Sequence, residues 1–136
     1  MNIFLDTSAI VAWFNKRDKY HDDAQRVLKD IRERRLEFTR FIVSDYILDE
    51  SLTFFESVIK DHELAVAVGE AMMESSYVSI EHVDDETFMT SWQRFKHSSG
   101  LSFTDCTSMT LMDELETRHV FTFDQHFSNA GYRQIG

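Results

Sequence analysis

Hydrophobic positions along the chain follow two alternating rhythms. Residues 2–5, Asn-Ile-Phe-Leu, form a short apolar run that stops at Asp6 and reads as a buried strand. Residues 8–15 read as a helix. Over 20–36, Ala24, Val27, Leu28 and Ile31 recur at the 3.6-residue spacing with charges between them, which predicts an amphipathic helix. Residues 39–43 read as a second strand. Ser44 or Asp45 is placed to cap a helix running through Ile47, Leu48, Leu52 and Phe55 to about Ile59. A further helix is predicted over 63–74, and Tyr77 to Glu81 alternates as a strand. Asp84 is placed to cap a helix over 85–97 that carries Phe88, Trp92 and Phe95 on one stripe. Residues 104–116 read as helix, His119 to Phe123 as a strand ending at Asp124, and Tyr132 to Ile135 as a last short strand.

The resulting order is β-α-α-β-α-α-β-α-α-β-turn-β. Strands alternating with helices imply a parallel sheet covered on both faces, a three-layer α/β/α architecture. In such folds ligands bind outside the carboxyl ends of the strands. Asp6 and Asp124 each follow a strand directly, so that rule singles them out.

At 136 residues the chain is expected to form one domain over 1–136. It has no proline and four glycines, and nothing in it resembles a linker or a repeat; Ser98-Ser99-Gly100 is the clearest break. The apolar content of 43% and charged content of 28% are those of a globular protein. No apolar run approaches the roughly 18 residues of a membrane span. Asp6 interrupts the hydrophobic N-terminus and no basic segment precedes it, against a signal peptide. The single cysteine, Cys106, excludes an intrachain disulfide and a cysteine-rich zinc site. A cytoplasmic protein is expected.

The net charge of −10 argues against a general nucleic-acid binder. Its distribution changes that picture. Nine of the 14 basic residues lie between Lys16 and Arg40, so residues 1–40 carry nine bases against seven acids, while residues 41–136 carry five against 17. The basic segment is either a solvated helix face or a contact for a phosphate backbone.

Four of the 24 acids stand in apolar or hydroxyl-rich surroundings, where a lone charge is costly to bury. Asp6 ends the first strand in FLDTSA, Glu50 lies in the helix of YILDESL, Asp105 opens the helix of LSFTDCTSM, and Asp124 follows a strand in FTFDQHF. Carboxylates gathered at one end of a sheet repel one another and take up protons unless a cation holds them. Oxygen ligands select Mg²⁺ or Mn²⁺. Two such ions suit in-line displacement at a phosphodiester, one activating water and the other steadying the leaving oxygen.

The ordered set Asp6-Thr7-Ser8, Glu50, Phe103-Thr104-Asp105 and Phe121-Thr122-Phe123-Asp124, followed by His126-Phe127, resembles a PIN domain. More narrowly, it is similar to the VapC-type ribonuclease toxins of prokaryotic toxin–antitoxin pairs. The resemblance covers the whole chain. It implies a metal-dependent endoribonuclease with a sheet of about five parallel strands, homodimerisation and inhibition by an antitoxin. Asp6, Glu50 and Asp105 match the three near-constant acids of that family, and Asp124 matches its more variable fourth.

Each residue also has a plainer reading. Asp6 could cap the helix that follows it, Asp105 could be a first-turn acid favoured by the helix dipole, Glu50 a surface acid, and Asp124 a turn residue. The hydroxyls of Thr7, Ser8 and Thr104 could orient the acids or bind a metal-held water, or equally act as caps. The six histidines show no paired ligand spacing, and His126 reads first as a surface turn residue. Cys106 reads as a buried helix residue, and Met72, Met73, Met109 and Met112 as core fillers. Trp13, Phe14 and Tyr20 read first as core or dimer packing, with stacking on bases as the alternative; with Tyr46, Phe54 and Phe55 they suggest a dimer surface, because one small core is not expected to bury all 18 aromatic side chains.

The leading function is therefore a Mg²⁺- or Mn²⁺-dependent endoribonuclease, a toxin with a cognate antitoxin, whose basic segment 16–40 contacts RNA. A housekeeping RNA-processing nuclease and a catalytically silent PIN-like scaffold are the alternatives. A phosphatase of the HAD type needs a second Asp where Ser8 stands, and a phosphoacceptor receiver domain needs a lysine that is missing after the fourth strand.

Overall fold

The computed structural model describes residues 1–136. The elements follow in the order β1 (Asn2–Leu5), α1 (Thr7–Phe14), α2 (His21–Arg32), β2 (Arg40–Ser44), α3 (Asp45–Phe54), α4 (His62–Glu74), β3 (Val78–Glu81), α5 (Asp85–His97), α6 (Phe103–Glu114), β4 (His119–Phe121), α7 (His126–Asn129) and β5 (Arg133–Ile135). A π-helical turn, Phe55–Ile59, continues α3. All five strands are parallel, in the order β3-β2-β1-β4-β5. Strand β1 is central, with Phe4 in register with Ile42 on one side and Val120 on the other.

The unbroken apolar run of β1 has its reason here. A strand inside a parallel sheet is covered on both faces, and Ile3, Phe4 and Leu5 are all fully buried. The chain winds outward from β1 through β2 to β3, then returns to the other side through β4 and β5. The switch between those directions opens a crevice at the carboxyl ends of β1 and β4.

Helix boundaries follow local chemistry. Ser44 caps α3 by accepting the Ile47 amide at 3.0 Å, and Asp84 caps α5 by accepting the Thr87 amide at 2.8 Å. Helix α2 ends at Arg32, short of the expected residue 36. Arg34 turns into the left-handed region at φ 58°, and the Arg35 and Leu36 amides both fold back onto the Asp30 carbonyl. Strand β4 ends at Phe121, two residues early, because the Phe123 and Asp124 amides are taken by side-chain hydroxyls. The turn after it contains the short α7, which the hydrophobic pattern does not signal.

Helix α6 is buried from Cys106 through Met112 without a break, so it has no solvent stripe. Helix α5 packs on it through small residues. The buried positions of α5 are Thr87 and Ser91, whereas Phe88, Trp92 and Phe95 stay 39–41% exposed. The Ser91 hydroxyl is satisfied by the Thr87 carbonyl at 2.7 Å, which lets this polar face lie against α6. Behind the same pair, the Tyr132 hydroxyl donates to Asp113 Oδ1 at 2.7 Å while Arg94 donates to Asp113 Oδ2 at 2.5 Å. Burial and the neighbouring Asp113 carboxylate push the Tyr132 phenol up to about 12.

Met72, Met109 and Met112 fill the core as expected, but Met73 is 61% exposed. The aromatic residues expected to form a dimer surface mostly turn inward. Phe55 is fully buried, and Trp13, Phe14, Tyr20 and Phe54 pack against the core from its margin. No helix is long and apolar enough to cross a membrane.

Candidate active site

Asp6 stands at the end of β1, in the N-cap position of α1, and is 6% exposed. It makes no side-chain capping bond to the helix. Its Oδ2 accepts instead from Ser8 Oγ at 2.9 Å and from Thr122 Oγ1 at 2.7 Å. Those hydroxyls accept in turn from the next strand's turn: the Phe123 amide donates to Ser8 Oγ and the Asp124 amide to Thr122 Oγ1, each at 3.0 Å. Both hydroxyl protons are thereby aimed at one carboxylate oxygen. The 3.1 Å approach of Ser8 Oγ to Thr122 Oγ1 is a contact between two donors already committed to Asp6.

This arrangement is a conflict held in place. Burial raises the pKa of Asp6 to about 6, and the nearby charge of Asp105 adds to the rise, while the Thr122 and Ser8 hydrogen bonds oppose it. No lysine or arginine pairs with Asp6. The Thr7 backbone amide also favours its charged form.

Asp105 enters from the start of α6. Ser102 and Asp105 form a capping box: Ser102 Oγ accepts the Asp105 amide at 2.9 Å and Asp105 Oδ2 accepts the Ser102 amide at 3.1 Å. Asp105 is thus the first-turn acid the sequence suggests, and the capping box fixes its carboxylate beside the crevice. Asp124 follows β4 and accepts the His126 amide on Oδ1 at 2.9 Å. His126 Nδ1 then lies 3.2 Å from Asp124 Oδ1 and 3.5 Å from Asp105 Oδ2. One ligand atom from each of these three residues falls within 4.8 Å of the others. An ion with bonds of about 2.1 Å holds opposed ligands roughly 4.2 Å apart, so small closing motions suffice to seat a Mg²⁺-sized cation. Carboxylate donors and the absence of a cationic side chain at Asp6 suit that occupant.

Glu50 lies on α3, exposed, with no hydrogen bond or ion pair, and outside that three-residue group. It is one turn beyond Tyr46, whose ring meets Phe103 of α6 with centroids 6.3 Å apart, so it shares the face of α3 that looks toward the start of α6. Thr7 Oγ1 is buried without a partner. Thr104 serves through its carbonyl, which accepts the Thr107 hydroxyl at 2.7 Å. Among the three supporting hydroxyls considered from the sequence, only Ser8 contacts an acid.

Two contributors lay outside the sequence reading of the site. Thr122 stands in the Thr-Phe-Asp segment, but its partner Asp6 is 116 residues away, and no periodicity reports such a pairing. His126 read as a turn residue, which it is; its position between two carboxylates is a tertiary fact.

The surroundings are asymmetric. Tyr20, just before α2, stacks on Phe123 with centroids 4.6 Å apart and planes 1° from parallel, and Lys19 Nζ lies 4.9 Å from the Tyr20 centroid. Arg26, Asp23, Asp30, Gln125 and Gln134 join these rings around a cavity of about 500 Å³, in which Arg26 is paired with Asp23. Arg32, Arg34 and Arg35 instead line a groove of about 1190 Å³ with Phe41 and Val78, near the starts of β2 and β3. The basic segment is thus divided between opposite edges of the sheet.

Comparison with known proteins agrees with this architecture. Residues 3–131 match the PIN domain family. The 23S rRNA-specific endonuclease VapC20, from two strains of Mycobacterium tuberculosis, is 29% identical over 135 residues, covering 98% of this chain and 97% of the relative. The crystal structure of M. tuberculosis VapC20, described as a sarcin-ricin loop cleaving toxin, superposes with a TM-score of 0.85 at 28% identity. It covers 96% of this chain and 95% of that one.

The strained Asp6 generates a pH-dependent expectation. Its folded pKa of about 6 lies above the ordinary 3.8, so its contribution to stability is complete below about pH 4 and is lost as the pH rises through 6. Without divalent ions, Asp6→Asn should stabilise the protein at pH 8 by on the order of 2–3 kcal/mol. The gain should fade between pH 6 and 4. Urea denaturation in EDTA across that range measures both.

Proposed function

The chain belongs to the PIN domain family, and from that premise we propose that it is a divalent-metal-dependent endoribonuclease acting through Asp6, Glu50, Asp105 and Asp124. The observation that carries this reading is the buried, cation-free Asp6, held at the sheet's switch point beside Asp105 and Asp124. A fold keeps such an arrangement at a cost in stability, which is the usual signature of a working site.

The reaction is hydrolysis: water attacks the phosphorus of an RNA phosphodiester and a P–O bond to the leaving oxygen breaks. A bound Mg²⁺ or Mn²⁺ supplies Lewis acidity, lowering the pKa of water and neutralising phosphate charge. Asp105 and Asp124 would hold the ion beside Asp6, and Glu50, which stands in solvent on α3, would have to swing its side chain inward to join them. Ser8 and Thr122 keep Asp6 ionised and in one orientation by donating to Oδ2. Unneutralised, these acids would repel a phosphate, so RNA binding is coupled to ion binding.

The substrate strand passes Tyr20, Phe123, Lys19 and Arg26 at the acid end of the sheet. The aromatic pair would offer stacking surface, and Lys19, which lies over the Tyr20 ring, and Arg26, which is paired with Asp23, would offer phosphate contacts. The names of the relatives, a 23S rRNA-specific endonuclease and a sarcin-ricin loop cleaving toxin, support a toxin role and make ribosomal RNA the first substrate to test; a cytoplasmic location and a cognate antitoxin are part of the same proposal. A silent scaffold is disfavoured, because all four acids are present and Asp6 remains strained. We also propose a homodimer, built on the exposed α5 stripe rather than on the earlier helices. Phe88, Met89, Trp92 and Phe95 give it a continuous apolar face.

Purified protein should cleave RNA with Mn²⁺ or Mg²⁺ and not with EDTA. Asp6→Asn and Asp105→Asn should each reduce the rate at least about 100-fold with the fold intact by circular dichroism, while Asp49→Asn should leave it within about twofold.

Charge reversal should separate the two halves of the basic segment. Lys19→Glu with Arg26→Glu should weaken RNA binding and flatten its salt dependence, and the triple reversal of Arg32, Arg34 and Arg35 should change the salt slope little. Fluorescence anisotropy across a salt series reads both.

Light scattering at micromolar concentration should give about 32 kDa, twice the 16.0 kDa chain, and Trp92→Glu should bring the mass near that of one chain.

A further inference from the structure

We propose that His126 is itself a ligand of the bound cation, through Nδ1, and that this nitrogen makes the site prefer Mn²⁺ to Mg²⁺. The inference rests on the metal-dependent reading above and deepens it. Four observations carry it. His126 Nδ1 faces two carboxylates at once, 3.2 Å from Asp124 Oδ1 and 3.5 Å from Asp105 Oδ2. Its position is built rather than incidental, because its own amide donates to Asp124 Oδ1 at 2.9 Å and folds the turn so that the ring returns over the acid two residues back. The following residue, Phe127, is fully buried and anchors α7 in the core. The other histidines in polar contact each have a single partner: His21 the Ala12 carbonyl, His62 Glu56, and His82 Asp45.

The plainer account is a surface imidazole making ion pairs with two acids. It predicts no contact between nitrogen and metal. The ligand account makes a chemical distinction. Mg²⁺ holds strictly to oxygen donors and gives up water reluctantly, whereas Mn²⁺ accepts imidazole nitrogen in an otherwise oxygen shell. An Asp–Asp–His set therefore discriminates between two ions that carboxylates alone bind similarly. Nδ1 binds the ion with the proton on Nε2, on a side chain that is 47% exposed.

The decisive measurement is pulsed electron paramagnetic resonance of Mn²⁺ bound to the full chain, without RNA, which detects ¹⁴N coupled directly to the ion. Wild type should show the ¹⁴N modulation, His126→Ala should lose it, and His97→Ala, on the exposed end of α5, should keep it. Thermal-shift titrations should show His126→Ala weakening Mn²⁺ binding by roughly tenfold or more while Mg²⁺ affinity changes by less than about threefold. If Mn²⁺ binds wild type without ¹⁴N modulation, or His126→Ala keeps both the modulation and the Mn²⁺ affinity, His126 is not a ligand and the carboxylate site stands alone. If neither ion stabilises wild type and no bound Mn²⁺ is detected, the metal-dependent reading fails together with the ligand assignment. Circular dichroism of His126→Ala separates ligand loss from misfolding. Should that variant not fold, His126→Asn, which keeps a polar side chain in the turn, takes its place.

Discussion

The organising constraint is one buried carboxylate. Asp6 sits where β1 hands the chain to α1, and its Oδ2 is gripped by hydroxyls from both ends of the sequence, Ser8 and Thr122. The same hydroxyls receive the Phe123 and Asp124 amides. One charge thus organises four groups. It shapes the turn after β4, ends that strand early, and aims Asp124 into the crevice. Removing the charge frees the fold from a burden, but it also removes the reason for the geometry.

That burden is informative. Ordinary buried carboxylates are paired with cations. Asp6 has hydroxyl donors, which orient a charge without cancelling it, and Asp105 nearby makes matters worse. The arrangement is stable enough to persist because the surrounding sheet is over-determined: β1 is fully buried between two parallel neighbours, and α6 behind it is buried along seven consecutive residues. Stability is invested in the scaffold and spent at the switch point, leaving a site whose tension a divalent cation relieves.

The fold also sorts the remaining surface by task. Helix α2 carries basic residues along its length, yet its start lies beside Phe123 and its end beside the beginnings of β2 and β3. A parallel strand-helix-strand connection requires this, since the helix must run back along the sheet. Lys19 and Arg26 therefore share an edge with the acids, and Arg32, Arg34 and Arg35 do not. Helix α5 lays the small, internally bonded face of Thr87 and Ser91 on the buried α6, while Phe88 and Phe95 meet Phe103 at the start of α6 edge-on and stay partly exposed with Trp92.

The sequence alone determined the order of the strands and of the longer helices, the parallel α/β class, the strand-end position of Asp6 and the first-turn place of Asp105. It did so because apolar periodicity, caps and strand lengths are local properties of neighbouring residues. The family pattern of the four acids was legible for the same reason, as fixed residue types in fixed order. The tertiary structure alone decided that Asp6 spends its charge on Thr122 rather than on a helix cap, that His126 stands between two carboxylates, that Glu50 remains in solvent on α3, and that Phe88, Trp92 and Phe95 face outward. Each of these depends on which distant segments meet at one point. A hydrophobic pattern says that a face will be covered, but the shape and chemistry of the partner decide which face, and that information is spread over residues more than 100 positions apart.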